Sequence, residues 1–165
     1  MSALQPEIPF QCLSGAIDGG EHRLMVRVYY EDTDFTGLVY HANYLKYFER
    51  GRSDFLRVRG VHHHELRAHE DPLAFAVTHI DLRYRRPARI DDVVTVRTRV
   101  ARVQGARIVM AQVCERDGAV LCEGQFDIAC IDGDGRPRRL PKALVAALGY
   151  GEALQIGEEK PAEKT

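Results

Sequence analysis

The stretch Tyr30-Glu31-Asp32-Thr33-Asp34-Phe35-Thr36-Gly37-Leu38-Val39-Tyr40-His41-Ala42-Asn43-Tyr44 decides how the rest of the chain is read. It sets two aspartates and a glycine between a β-branched and aromatic segment, 24–30, and a segment with apolar residues at helical spacing, 44–58. The acids therefore fall on a strand-to-helix connection. Such a layout can aim a carboxylate at a polarised group held at the helix start. Gly37 stands where the backbone needs torsions that other residues avoid.

Working outward, 24–31 reads as a first strand and the helix runs from His41 or Ala42 to Val58. Tyr44, Phe48, Gly51, Phe55 and Val58 recur at steps of four, three, four and three, which puts them on one face, expected to be buried. Gly60 stops the helix. Glycine is costly inside a helix, so Gly51 implies a close approach of this helix to a sheet.

Downstream, Asp71-Pro72 introduces an extended run, 73–86, closed by Pro87. Strands are expected over 93–103, 107–115 and 119–131, joined by turns at Gln104-Gly105 and Asp117-Gly118, which makes three strands in series a meander. In the last of them Val120, Cys122, Gly124, Phe126, Ile128 and Cys130 alternate with a more polar set, as in a sheet with one face on a core. A short helix over 141–148 follows, and the charged segment 151–165 is expected to be mobile. This order of elements is that of an α+β domain whose antiparallel sheet wraps around a long central helix. The domain is placed at 23–135, between an N-terminal extension, 1–22, and a C-terminal short helix with its tail, 136–165.

With 165 residues, 45% of them apolar, the chain supports one domain with a real core. Its 23 basic and 24 acidic residues leave a formal net charge of -1, so no bulk field is available to hold a polyanion, and nucleic acid is not an expected partner. Residues 1–11 lack a basic start followed by a long apolar run, and no apolar stretch reaches membrane-spanning length; a cytoplasmic protein is expected. Cys12, Cys114, Cys122 and Cys130 are widely spaced, and the last three fall on predicted strands as free core thiols. No metal site is expected, since closely spaced ligand pairs such as Cys-x-x-Cys are missing from the sequence.

The run from Tyr30-Glu31-Asp32-Thr33-Asp34 through Gly37, Val39-Tyr40-His41 and Tyr44 closely resembles the hotdog-fold acyl-CoA thioesterases, in particular the tol-pal-associated branch and 4-hydroxybenzoyl-CoA thioesterase. The resemblance covers roughly residues 23–135 and implies a hotdog fold. It also implies a homodimer in which two sheets join edge to edge with active sites at the subunit interface, commonly assembled into tetramers. Edge pairing would protect exposed strand edges. Asp34 matches the family's catalytic carboxylate, and His41 falls where the family places the helix N-terminus facing the thioester. Substrate contacts are expected from Gly37, Tyr40, Ala42, Tyr44, Arg86 and Arg89. Coenzyme A belongs to the substrate, so no cofactor is expected, and an acyl carrier protein is a further candidate partner.

The chemistry follows from the residue types. A thioester carbonyl gains negative charge on oxygen during attack, and N–H groups at a helix start near His41 and Ala42 can donate to it. Asp34 then activates water as general base or attacks directly to give a mixed anhydride. The rival reading of Asp34 is an ordinary turn or capping acid. Asp32 reads as a structural acid bonded to the loop backbone. His41 has three readings: side-chain catalyst, backbone donor or polar cap.

Glu49 matters because a second branch of hotdog thioesterases carries its acid on the helix; the alternative is a surface partner for Arg52 or Ser53. Tyr40 and Tyr44 either line the acyl or pantetheine channel or belong to the core. The run His62-His63-His64-Glu65, with His69 nearby, reads as a solvated loop rather than a metal site. Arg83, Arg85, Arg86 and Arg89 around Pro87 can bind coenzyme A phosphates or stand as surface arginines. Two functional rivals remain: a non-catalytic acyl-CoA or acyl-carrier binding module in envelope or phospholipid metabolism, and a hotdog dehydratase.

Overall fold

The computed structural model describes residues 13–150. Its strands are β1 (Ala16–Asp18), β2 (Glu21–Arg27), β3 (Ala74–Tyr84), β4 (Val93–Gln104), β5 (Arg107–Arg116) and β6 (Ala119–Ile131). The helices are α1 (Asn43–Val58), α2 (His63–Ala68) and α3 (Lys142–Ala147). All strand pairs are antiparallel, in the order β1-β2-β4-β5-β6-β3. The sheet wraps α1, so the α+β hotdog architecture expected above is the one present.

The α1 stripe builds the core. Tyr44, Tyr47, Phe48, Gly51 and Phe55 are all buried, and each large side chain contributes about 1.5–3 kcal/mol of apolar burial. Gly51 lets the helix touch the sheet: a Cβ there would lie 2.7 Å from Val96 Cγ1 and 2.9 Å from Thr98 Oγ1. Next to it Arg52 lies over the Phe126 ring at 4.5 Å and donates from Nη1 to Gln112 Oε1 at 2.9 Å. Gln112 Nε2 in turn donates to Phe48 O and Thr98 Oγ1, at 2.9 and 2.8 Å. Helix and sheet are thereby fixed in one register.

The hairpins form as their sequences direct. Asp117 and Gly118 take φ of 50° and 77°, the paired positive torsions of a two-residue turn between β5 and β6. Three expectations need correction. The first strand is Glu21–Arg27 rather than 24–31, because Tyr30–Asp32 turns into a 3-10 segment, and a further strand, β1, lies within the expected N-terminal extension. Val58 is exposed although it continues the buried stripe, because spacing fixes the face of a helix and not how far along it the packing extends. The histidine run is not a loop: His63–Ala68 form α2, although the run is largely exposed as expected.

Cys114, Cys122 and Cys130 are buried free thiols, and burial pushes Cys114 and Cys122 up to about 12. Cys12 and the 151–165 segment lie outside the described residues. No helix among the described residues is long and apolar enough to cross a membrane.

Candidate active site

The connection between β2 and α1 stands on the 85–92 connector. Val28 N–H donates to Asp92 O at 2.9 Å, Asp91 N–H to Val28 O at 3.0 Å, and Val39 N–H to Ala88 O at 2.9 Å. Asp32 then ties the connection together from inside. Its carboxylate accepts from Tyr29 N–H at 2.8 Å, and its carbonyl accepts from Tyr40 N–H and from Asn43 Nδ2, at 2.9 and 2.7 Å. The buried aspartate is thus the structural one of the two.

Asp34, two residues on, faces solvent at the head of a tight turn. Gly37 N–H donates to Asp34 O at 3.0 Å and Gly37 takes φ of 74°, which closes the turn at the glycine. Thr36 holds one carboxylate oxygen, Oδ1, with both its hydroxyl and its N–H. Oδ2 has no hydrogen-bond partner among the described residues. The Thr36 hydroxyl first, then its N–H, and less strongly the charge of His41, hold the Asp34 carboxyl below its usual range. At neutral pH the group is an anion with one oxygen oriented and the other free.

The helix start completes the site. Asn43 N–H bonds back to Tyr40 O at 2.8 Å and Leu45 N–H to Ala42 O at 3.1 Å, but the N–H groups of His41 and Ala42 have no partner among the described residues. A helix of 16 residues adds its dipole to these donors. The His41 ring lies against Tyr40, centroids 4.5 Å apart, while the His41 carbonyl accepts from the Tyr84 hydroxyl at 2.9 Å. One short segment therefore carries an oriented carboxylate and, at the helix start, two N–H groups without a partner among the described residues.

The other expected residues divide. Gly37, Tyr40, His41 and Ala42 belong to the segment that carries Asp34, and Tyr40 is 45% exposed. Tyr44 does not line an open channel: it is 2% exposed, its hydroxyl accepts from Ala88 N–H at 3.0 Å, and burial pushes it up to about 12. It is a core residue because α1 turns that face onto the sheet. Arg86 and Arg89 are exposed without ion pairs among the described residues, whereas Arg85 grips Glu123 with two nitrogens, at 3.0 and 2.8 Å. Glu49 accepts from Arg52 at 2.8 Å and from Ser53 at 2.6 Å, the surface pairing expected of it. Sequence reasoning missed Thr36 and Tyr84. The Asp-x-Thr spacing was a usable sign of a side-chain turn, but nothing local announces a tyrosine reaching a carbonyl 43 residues away.

Comparison with known proteins identifies the family. A family model described as the thioesterase-like superfamily matches residues 28–148, and the chain belongs to that family. Within it the chain is of the YbgC type. It is 42% identical over 126 residues to the acyl-CoA thioesterase YbgC of Haemophilus influenzae, a match covering 76% of this chain and 92% of that one. The acyl-CoA thioester hydrolase YbgC of Escherichia coli O6:H1 is 38% identical, covering 75% and 92%. Among solved structures, a probable thioesterase from Bartonella henselae superposes with a TM-score of 0.71 at 45% identity, covering 73% of this chain and 99% of that one.

Proposed function

We propose that the protein is an acyl-CoA thioesterase that hydrolyses its substrate to a free carboxylic acid and coenzyme A, with Asp34 as the catalytic carboxylate. The observation that carries this reading is the occurrence, on one short segment, of an oriented anion and of N–H groups at His41 and Ala42 that have no partner among the described residues. The thioester carbonyl oxygen docks on those donors, and the charge it gains during attack is met there. Asp34 takes a proton from water or adds to the carbonyl itself, and coenzyme A leaves as a thiolate, a good leaving group that makes a separate strong acid unnecessary. His41 acts through its backbone N–H. No cofactor takes part.

The working unit in this reading is a homo-oligomer in the cytoplasm, a dimer or a tetramer. What supports it is the sheet's unequal edges: β1 has 3 residues, whereas β3 offers 11, with Val77, Ile80 and Tyr84 exposed. A long apolar edge needs cover. Phe35, beside Asp34, is fully exposed, which fits a site completed by a second copy. Arg86 and Arg89 are the candidates for the coenzyme A phosphates. An acyl group carried on acyl carrier protein and an association with the tol-pal system are further parts of the proposal.

The decisive experiment is a thiol-trapping assay over aliphatic acyl-CoA chain lengths and benzoyl-CoA, run with the wild type and Asp34→Asn. Release of thiol by the wild type and its loss in the variant is the expected result. Equal rates for the two proteins would remove Asp34 from the chemistry, and tight binding without any thiol release would leave a non-catalytic acyl-CoA module.

A further inference from the structure

The peptide unit between His41 and Ala42 has two ends that meet different partners. Its N–H, on Ala42, has no partner among the described residues and is one of the two donors to which the proposed function assigns the thioester oxygen. Its C=O, on His41, accepts from the Tyr84 hydroxyl at 2.9 Å and receives no backbone N–H. Tyr84 is the last residue of β3, far from α1 in sequence, and its ring is seated edge-on to Tyr44 at 5.7 Å and to His41 at 6.4 Å. Tyr44 is itself anchored in the core through Ala88. The hydroxyl is therefore delivered to the carbonyl by a half-exposed ring at a strand end, held on one side by its edge-on contact with Tyr44.

An amide that accepts a hydrogen bond at oxygen gains C=N character, and its N–H becomes a stronger donor. Hydrogen bonds in such a chain polarise one another. We infer that Tyr84 is a positioning residue for thioester hydrolysis, fixing the His41–Ala42 peptide and strengthening its N–H as the donor to the developing oxyanion. The chain of contacts runs Tyr84 O–H to His41 C=O, through the amide to Ala42 N–H, and on to the thioester oxygen. Burial and the nearby Cys122 raise the Tyr84 phenol above its ordinary value, so it keeps its proton throughout the neutral range. This inference rests on the thioesterase reading of the site.

The effect belongs to the transition state. Charge on the carbonyl oxygen is small in the bound substrate and large in the tetrahedral intermediate, so a stronger donor lowers the barrier more than it tightens binding. Tyr84→Phe keeps the ring contacts and removes only the hydroxyl. Removal of a direct oxyanion donor costs about 10²–10³ in kcat, and a group acting through that donor is expected to cost about tenfold. KM should stay within about twofold, because uniform binding is left in place.

The test uses the full chain and two readouts. Steady-state thiol release is measured for the wild type, Tyr84→Phe and Asp34→Asn, with melting temperatures to verify folding. In the Asp34→Asn background, which should not turn over, difference infrared spectroscopy then follows the ¹³C-labelled thioester carbonyl of a bound acyl-CoA with and without Tyr84→Phe. Loss of kcat at constant KM, together with a smaller downward shift of the carbonyl stretch when the hydroxyl is absent, is the expected pair of results. An unchanged kcat and an unchanged stretch in Tyr84→Phe, with Asp34→Asn inactive, overturn this inference and leave the thioesterase reading standing. A fall confined to melting temperature or KM assigns Tyr84 to packing or binding and also overturns it. If Asp34→Asn is as active as the wild type, it is the functional reading that fails.

Discussion

Just before α1 the His41 and Ala42 N–H groups have no partner among the described residues, whereas midway along the helix Arg52, Gln112, Thr98 and the Phe48 carbonyl bond one another in a closed network. The same helix thus carries an open set of donors at one end and a closed one at its middle. Unfilled donors at a helix start are a standing attraction for an anion. Unfilled groups in the middle would only destabilise the fold. The closed network holds α1 against the sheet, and that rigidity is what keeps the open end aimed.

The largest expected effect falls at the open end. Asp34→Asn retains the shape of the side chain but neither its basicity nor its nucleophilicity, so kcat should fall by about 10³-fold or more, the upper part of the usual range for an acid–base residue. The side chain is exposed, so the melting temperature should hardly move. A large drop in stability with the same loss of rate would mean that Asp34 also holds the loop, and the contrast between the start of the helix and its middle would collapse.

The next effect belongs to the closed network and should have the opposite profile. Gln112 is 1% exposed, and Gln112→Ala strips partners from Arg52, the Phe48 carbonyl and Thr98. Leaving such groups buried and unbonded costs about 2–4 kcal/mol, which denaturant unfolding would register. Gly51→Ala should do less. The new Cβ would stand 2.7 Å from Val96 Cγ1 and 3.0 Å from Gln112 Nε2, an overpacking of about 1–3 kcal/mol that the better helix propensity of alanine offsets by about 1. A net loss of about 1 kcal/mol is expected; a gain in stability would show that α1 can lift off the sheet without penalty.

The closed region was the more legible of the two in sequence. Gly51 inside an apolar stripe announced a close approach, and the paired turns at Gly105 and Asp117-Gly118 announced the meander. The open region was legible in its motif and not in its backbone. Tyr29-Tyr30-Glu31 has the residues of a strand, but Asp32 captures the Tyr29 N–H and turns the chain into a 3-10 segment. The pairing of β3 with β6 rather than with the next strand in sequence is set by how the sheet closes around α1, a non-local choice. Tyr84 was invisible for the same reason, since its partner lies across the fold. Val58 shows a further limit, that of periodicity, because a helical stripe gives the face but not where the sheet ends.

The smallest effect expected is on pH dependence. Thr36 lowers the Asp34 carboxyl by donating a hydroxyl and an N–H to Oδ1, and a depressed carboxyl keeps its charge to lower pH. The wild-type enzyme should therefore hold its rate on the acid side until the pH falls below the usual carboxylate range, where Asp34 takes up a proton. Thr36→Val removes the hydroxyl and keeps the backbone N–H, so the carboxyl rises toward its ordinary value. The acid limb of kcat/KM should then move to higher pH, while the rate on the neutral plateau changes little. A limb that stays in place would show that the titrating group is not Asp34. A limb that moves to lower pH would mean that the Thr36 hydroxyl stabilises the protonated acid, which would reverse the part assigned to this residue at the open end of the helix.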